Sequence, residues 1–279
     1  MGGAPDDVAI ALARIAEEAE RRTGTLDLTG LWLTALPHEV FALTHLRRLR
    51  VGAPPDKLLN FLSRNILGYP DCITPSAKLL RKLPALEELS VNGIKIRDFA
   101  PLAELGQLRV LDLKWTGIAD LTALVGLTGL ESLDVSYTRV TDLSPLASVP
   151  TLRTLIVSRT DVADLSPLRT VTELRRLDIR ATDVTDLAAI AALCNLEALE
   201  LGAEWTGSSY ARWGRGAAPR DPDEIWQYSP FASFEPLSTL KKLRHLFIAG
   251  AGLHDITPIM KLGCLQSLDI SFNPAPDLG

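Results

Sequence analysis

Apolar residues recur along this chain with a period of 22 residues, separated by polar positions that keep the same spacing. The leucines that open successive blocks are Leu86, Leu108, Leu130, Leu152, Leu174 and Leu196. Four consecutive blocks match at eight positions, which in the first of them are Leu108, Leu111, Leu113, Thr116, Ile118, Leu121, Leu124 and Leu127. A unit repeated at a fixed short period is the signature of a solenoid, in which stacked units bury one continuous core.

The offsets within a block predict two structural elements. The opening pattern Leu-x-x-Leu-x-Leu ends in the alternation of a short strand, in which every second side chain points inward. The later apolar residues recur every three positions, which favours a 3₁₀ or short helical return on the opposite wall. We therefore predict an α/β solenoid with a parallel sheet on its concave side and 3₁₀ or short helical segments on its convex side.

These blocks resemble the leucine-rich repeat family, in particular the 22-residue repeats of internalins and of Sds22-like phosphatase regulators. The first coil runs from Thr23 to Leu46, and its opening, Leu26–Pro37, resembles the repeats of Roco-type proteins. The resemblance implies a horseshoe-shaped solenoid. The family's asparagine at the ninth position is threonine in four blocks and asparagine at Asn273. The threonines are Thr116, Thr138, Thr160 and Thr182. We expect their hydroxyls to bond the backbone of the neighbouring coil in place of the family's asparagine ladder.

The repeat predicts one solenoid of about ten coils over residues 23–279, preceded by a capping helix over residues 1–22. Four apolar residues share one face of that helix, and we expect this face to cover the leucines of the first coil. They are Val8, Leu12, Ile15 and Ala19. The repeat continues to Gly279 without a polar capping segment, so we expect a further domain or a second copy of the chain to cover that edge.

Two insertions, at about 52–74 and 203–230, interrupt the period. They begin at Gly52 and Gly202, which share one offset, so we expect both to leave from the same edge of the solenoid. The second insertion is rich in aromatic and arginine side chains, which dominate binding hot spots because they bury a large area while keeping a polar group. Its candidate partner-binding residues are Trp205, Tyr210, Arg212, Trp213, Trp226 and Tyr228. The alternative, that these aromatics pack the loop against the solenoid and do nothing else, stays open.

Two rows of outward-pointing side chains predict a second candidate surface on the concave face. One row is acidic, and the row beside it places an indole, a phenol and a guanidinium side by side on consecutive coils. The candidate partner-binding residues of this face are Asp112, Trp115, Asp134, Tyr137, Arg159, Asp178 and Arg180. Clusters of this composition mark protein interfaces, and the acidic row favours a partner with a basic patch. The alternative is that scattered surface aromatics on a parallel sheet have no role.

Composition and charge exclude several classes of protein. The chain has 279 residues with 29 Lys+Arg and 34 Asp+Glu, a net charge of −5, which argues against a nucleic-acid footprint. It contains no run of 18 apolar residues that would span a membrane. Three widely spaced cysteines, Cys72, Cys194 and Cys264, fit buried thiols of a reducing compartment, so we expect a cytoplasmic protein.

Motifs of catalysis are absent from the sequence. It has no phosphate-binding loop, no Cys-x-x-Cys or His-Glu-x-x-His pair and no nucleophile elbow, so we expect no enzyme activity, no cofactor and no metal. Aspartates recur at one offset on the return side, and we expect them to accept N–H groups of the following turn instead of binding calcium. They are Asp98, Asp120, Asp142, Asp164, Asp186, Asp255 and Asp277.

These observations favour a non-enzymatic recognition or scaffold protein that binds a protein partner through its concave face and its aromatic insertion. Two alternatives stay open. In the first, the chain is a sensor or regulatory module of a larger signalling or defence protein. In the second, which the Sds22 resemblance implies, it is a regulatory subunit of an enzyme such as a phosphatase.

Overall fold

Each repeat folds as one coil that starts with a short strand and returns through a turn and a short helix. The computed structural model describes residues 5–52, 77–202, 204–205, 210–211 and 231–273. The chain divides into two units, Met1–Thr138 and Arg139–Gly279. Both units are built from the same kind of coil, as the 22-residue period predicts.

The first unit begins with a helix and then stacks five parallel strands in chain order. Its elements are α1 (Pro5–Arg21), β1 (Thr25–Thr29), the 3₁₀ helix η1 (His38–Ala42), β2 (Arg48–Gly52), α2 (Ala77–Leu80), β3 (Glu88–Ser90), η2 (Ala100–Glu104), β4 (Val110–Asp112), η3 (Thr122–Leu124) and β5 (Ser132–Asp134). The register places the central leucines of neighbouring strands opposite each other, as with Leu89 and Leu111.

The second unit also contains five parallel strands, and its insertion carries a separate two-stranded antiparallel ladder. Its elements are η4 (Ser144–Ser148), β6 (Thr154–Ile156), η5 (Ser166–Thr170), β7 (Arg176–Asp178), η6 (Ala188–Ala192), β8 (Ala198–Glu200), β9 (Glu204–Trp205), β10 (Tyr210–Ala211), η7 (Glu235–Thr239), β11 (His245–Phe247), α3 (Thr257–Met260) and β12 (Ser267–Asp269). Strand β8 pairs directly with β11, so the parallel ladder continues past the insertion. The predicted α/β solenoid with a parallel sheet and 3₁₀ returns is confirmed.

The core of each unit consists of leucines that one coil places against the next. The central strand leucine, for example Leu111 in the first unit or Leu177 in the second, is at most 1% exposed. The return helices add Leu124 and Leu168 from the opposite wall, both fully buried. Burying one such side chain contributes about 1.5–3 kcal/mol. The equivalent Leu268 in the last described coil is 44% exposed.

The residue four positions after the aligned strand leucine has a left-handed backbone in every coil in which the structure describes that residue. In the described residues these are Gly30, Gly93, Trp115, Tyr137, Arg159, Ala181, Gly250 and Phe272, with φ between 52° and 83°. Glycine adopts this conformation freely, whereas a residue with a Cβ pays about 1–2 kcal/mol. The coil therefore contains one position per repeat at which glycine is the unstrained choice.

The two insertions begin at glycines that share a second left-handed position, one residue earlier in the coil. Gly52 has φ 96° and Gly202 has φ 103°. A Cβ would lie 2.0 Å from the carbonyl oxygen of Asn92 at the first site and 2.3 Å from that of Ala249 at the second. The shared offset predicted from the sequence is thus a shared backbone geometry. Residues 53–76 and most of 203–230 lie outside the described residues.

Replacing Gly202 by alanine tests this geometry. The Cβ would meet the carbonyl of Ala249 in a backbone conformation that disfavours side chains, so we expect a loss of at least about 2 kcal/mol in the free energy of unfolding. The matched control is Gly263→Ala, because a Cβ on Gly263 meets no heavy atom within 4 Å. Denaturation with guanidinium chloride measures both, and equal stabilities would contradict the assigned geometry.

Helix α1 packs on the first coil through a face that includes only Ile15 of the four predicted residues. Val8, Leu12 and Ala19 are exposed, whereas Ala11 and Ile15 are buried together with Glu18. The rotation of the helix about its own axis is fixed by the buried carboxylate of Glu18, and the hydrophobic pattern of the helix does not predict this. The small side chain of Ala11 then faces the coil and allows the helix to approach closely.

The carboxylate of Glu18 anchors α1 to the start of the first coil. Its Oε1 accepts hydrogen bonds from the backbone N–H of Gly24 at 2.7 Å and from the ring of His45 at 2.9 Å. Its Oε2 accepts from the backbone and the hydroxyl of Thr23. Burial alone would raise the pKa of Glu18, but these hydrogen bonds outweigh it and hold the pKa below its usual value.

The lowered pKa makes the stability of this anchor depend on pH. A carboxylate with a depressed folded pKa contributes stability above its unfolded pKa and loses it as the pH falls through the folded one. We expect Glu18→Gln to lower the free energy of unfolding by about 1–2 kcal/mol at neutral pH. In urea titrations this difference from the wild type should shrink on acidification. The exposed Glu17 supplies the control, since Glu17→Gln should change little at any pH; a pH-independent loss for Glu18→Gln would contradict the anchor.

The four threonines of the ninth position bond their own coil, so the predicted ladder between coils is wrong for them. The hydroxyl of Thr116 donates to the carbonyl of Leu113 at 2.6 Å, and Thr138 does the same to Val135. The hydroxyl lies on Cβ and reaches only this carbonyl. The longer amide of Asn273 does bridge coils, donating to Ile248 at 2.8 Å.

Two further predictions from the sequence concern the return side. The recurrent aspartates do accept the expected turn N–H groups, as in Asp142 with Ser144 and Asp164 with Ser166, both at 2.8 Å; Asp277 lies outside the described residues. The prediction of buried thiols is wrong, because Cys194 and Cys264 are exposed in loops that lead from a return helix into the next strand. Cys72 lies outside the described residues.

Candidate binding site at the ends of the strands

Two aromatic rings stack on each other at the ends of strands β4 and β5. The ring centroids of Trp115 and Tyr137 are 3.8 Å apart and their planes are inclined by 16°. Both side chains are half-buried, so part of each ring system stays accessible. The sequence placed these residues side by side, and the structure brings them into direct contact.

Both aromatic residues occupy the left-handed position of their coils. Trp115 has φ 61° and Tyr137 has φ 57°, whereas the same position holds glycine at Gly93 and Gly250. Stacking offsets part of the free energy of this backbone strain, since an aromatic pair contributes about 0.5–1.5 kcal/mol beyond its buried area. Backbone strain at bulky residues concentrates in functional sites. Arg159, Ala181 and Phe272 share the left-handed backbone, and Trp115 and Tyr137 add to it a direct stack of two large rings, which makes this pair our candidate site. Gly93 and Gly250 occupy the same position in other coils, and this is the sequence signal that a residue with a side chain is strained there.

Charged groups of the first unit surround the aromatic pair. The Nζ of Lys114 lies 2.8 Å from Oδ2 of Asp134, and the backbone N–H of Lys114 donates to Asp112 at 3.1 Å. Burial raises the pKa of Asp112, and the neighbouring Asp134 adds to the increase. The pKa of Lys114 is also raised, because attraction by the two carboxylates exceeds the effect of burial, which lowers it. The carboxylates predicted for this face therefore share one ammonium group.

In the second unit the acidic row is paired internally. Asp178 is 1% exposed, and its two oxygens accept hydrogen bonds from Nε and Nη2 of Arg180 at 3.0 and 2.6 Å. Nη2 of Arg180 also lies 2.8 Å from Glu200, which pairs with Arg176 as well. Burial raises the pKa of Asp178 although Arg180 opposes this. The row is therefore a network of ion pairs and not an open acidic strip.

The remaining predicted residues are distributed between the second unit and the insertion. Arg159 is half-buried and has a left-handed backbone with φ 56°. Trp205 and Tyr210 are register partners in the short antiparallel ladder of β9 and β10. The other predicted residues of the insertion, Arg212, Trp213, Trp226 and Tyr228, lie outside the described residues.

Within the residues that the structure describes, no group of three or more His, Cys, Asp or Glu side chains is arranged to hold a metal ion. No helix in the described part of the chain is long and apolar enough to cross a membrane.

This chain is similar to several known proteins in structure and matches none in the sequence comparisons. No family model and no curated protein matches the sequence. The chain is similar to internalin C2 from Listeria monocytogenes, with 24% identity over 68% of this chain and 73% of that one and a TM-score of 0.56. A leucine-rich repeat protein of Leptospira interrogans shows 17% identity over 95% of this chain and 65% of that one, with a TM-score of 0.61.

A third similar structure is the plant peptide hormone receptor RGFR1 in complex with RGF2. It shows 15% identity over 89% of this chain and 36% of that one, with a TM-score of 0.55. At these identities the likeness establishes the fold, which is that of leucine-rich repeat solenoids. The Sds22-like repeat type and the Roco-like first coil stay predictions.

The strained backbone at Trp115 predicts an unusual order of stability among its variants. Both Trp115→Gly and Trp115→Ala lose the ring, but only the alanine variant keeps a Cβ, which is strained in the left-handed conformation. We expect the glycine variant to be more stable by about 1 kcal/mol in urea denaturation. At Ser132, inside strand β5, the order should be reversed by about 0.5–1 kcal/mol. Finding alanine the better residue at position 115 would show that the backbone there is not strained.

Proposed function

We propose that this protein is a non-enzymatic recognition protein that binds another protein through the strand face of its first unit. The contact is centred on the stacked rings of Trp115 and Tyr137. The observation that carries this proposal is their left-handed backbone: both residues stay half-buried at positions where glycine would remove the strain. A large aromatic surface held at a cost in stability fits a binding role.

The chemistry of the site favours a protein partner. Tryptophan and tyrosine supply large contact areas with little rotamer entropy to lose, and they are enriched at binding hot spots. The surrounding Asp112, Lys114 and Asp134 provide a polar rim for such a core. The similarity to the plant peptide hormone receptor RGFR1, whose structure is a complex with RGF2, supports a partner-binding function for this fold.

A partner with an extensive basic patch fits the proposal less well than one with a local positive charge. In the second unit Arg176 and Arg180 already occupy Glu200 and Asp178. The aromatic insertion at about 203–230 is proposed as a second contact, on its composition. A regulatory or scaffolding role and a cytoplasmic location belong to the same proposal.

Capture of partners on the immobilised full chain tests the proposed function. The double variant Trp115→Gly/Tyr137→Gly removes both rings and relieves the strain at both positions, so it should stay folded. We expect a protein that the wild type retains from the lysate of its native cells to be lost by at least tenfold on the double variant, as quantified by mass spectrometry. Tenfold corresponds to about 1.4 kcal/mol of binding free energy, a modest value for two hot-spot residues.

The matched control is Ala181→Gly, which makes the same backbone change at the same position of a coil in the second unit. The control should retain every partner of the wild type. Equal retention by the wild type and the double variant would show that the stacked rings do not form the contact.

A further inference from the structure

The strand face of the first unit contains a cavity of about 350 Å³ that spans strands β1 to β4. This volume lies within the range of small-ligand sites. Three carboxylates line the cavity, those of Asp27, Glu88 and Asp112, against one guanidinium, that of Arg50. Leu49 and Leu89, whose side chains are at most 1% exposed, and Val110 complete the lining. Among the residues that line the cavity, carboxylates therefore outnumber cations.

The polar wall at β3 and β4 has more acceptors than donors. The hydroxyl of Ser90 donates to Oδ2 of Asp112 at 2.9 Å, and Nδ2 of Asn92 lies 3.3 Å from that hydroxyl and 3.4 Å from the same Oδ2. Asn92 is 5% exposed, and among the described residues its Oδ1 has no hydrogen-bond partner. A buried acceptor left in this way costs about 1–3 kcal/mol. A ligand that supplies N–H donors would remove this cost.

The other carboxylates of the cavity are already held in place. Glu88 forms an ion pair with Arg48 at 2.9 Å, and Asp27 accepts the backbone N–H and the hydroxyl of Thr29. Asp112 accepts hydrogen bonds from Ser90, Asn92 and the backbone N–H of Lys114, and it is the carboxylate that lies beside the acceptor of Asn92 that has no partner among the described residues. A group that carries both a positive charge and several N–H donors would therefore fit this end of the cavity.

Trp115, which stacks on Tyr137, lies three residues after Asp112 in the same coil. The same row in the preceding coil holds Gly93, which contributes no side chain and directly follows Asn92. Tryptophan is the ring that binds cations best, and a guanidinium stacks on it more readily than an ammonium does.

We propose that this cavity is the anchor pocket for an arginine side chain of the protein partner, with Asp112 as its counter-ion and Asn92 as an additional acceptor. The inference rests on the proposed function for the identity of the partner, but it makes a separate statement about the cavity. A guanidinium presents five N–H donors in one plane, which matches a wall rich in acceptors better than the point charge of an ammonium group.

A titration of the full chain with small probes tests the pocket without the partner. The probes are N-acetyl-L-arginine amide and N-acetyl-L-citrulline amide, which have similar shapes but differ in charge. We expect the arginine probe to produce saturable shifts in the NMR signals of the Asn92 side-chain amide and of the Ser90 and Lys114 backbone amides, with a millimolar dissociation constant. The citrulline probe should bind at least tenfold more weakly.

The variant Asp112→Asn should lose this preference for the arginine probe. Because burial disfavours the charged form of Asp112, the neutral amide is expected to leave the thermal midpoint unchanged or slightly higher. The control Glu104→Gln removes one negative charge from an exposed position in η2 and should bind the arginine probe as the wild type does.

Equal binding of the two probes by the wild type, or no saturable shift with arginine, would overturn the proposal without any variant. Retention of arginine binding by Asp112→Asn would exclude Asp112 as the counter-ion. The capture experiment reports on the stacked rings and this titration on the cavity alone. If the arginine probe binds but no partner is captured through the stacked rings, the proposed function is contradicted and the arginine pocket is supported. If a partner is captured but the arginine probe does not bind, the pocket is contradicted and the proposed function is supported.

Discussion

The structure depends on the burial of leucines between neighbouring coils. One coil has no second layer of its own, so its inward leucines are buried only by the coils on either side. Leu111 and Leu177 are at most 1% exposed with a neighbour on both sides, whereas Leu268 in the last described coil is 44% exposed. Because this packing fixes the register, residues 22 apart in sequence become neighbours in space. The hydrogen bond between Ser90 and Asp112 and the stack of Trp115 on Tyr137 both follow from that spacing.

Periodicity therefore predicted the fold and the rows of surface residues, because both depend on the regular spacing of large apolar groups. It failed where individual hydrogen bonds decide the outcome. The rotation of α1 is set by the contacts of Glu18 with Thr23, Gly24 and His45, and an amphipathic pattern contains no information about them. The threonine hydroxyls bond their own coils for a similar local reason, the short reach of a group on Cβ. The exposure of Cys194 depends on its place in a loop, which the bias of cysteine toward burial does not reveal.

The candidate site shows the same division between pattern and local geometry. The row of Trp115 and Tyr137 is visible in the sequence, but its left-handed backbone is visible only when the row is compared with Gly93 and Gly250. The acidic row was predicted as an open charged surface, whereas Asp178 is buried against Arg180. Whether a row of carboxylates attracts a partner depends on the cations beside it. Those cations are Lys114 and Arg180, each two residues after its carboxylate. The repeat shows no consistent type of residue at that position.

The pKa values of the aspartates are shifted in opposite directions on the return wall and on the strand face, and this contrast bears on function. On the return wall, hydrogen bonds from Ser144 and Ser166 hold the pKa values of Asp142 and Asp164 below their usual range, so these charges contribute stability at neutral pH that is lost on acidification. On the strand face, burial raises the pKa of Asp112, so the stability associated with its protonated form is lost as the pH rises through the folded pKa. Burial raises the pKa of Asp178 in the second unit as well, but there Nε and Nη2 of Arg180 bind both carboxylate oxygens. Asp112 instead lies in the same coil as Trp115, whose backbone is strained, and this combination is the reason we propose the strand face of the first unit as the recognition site.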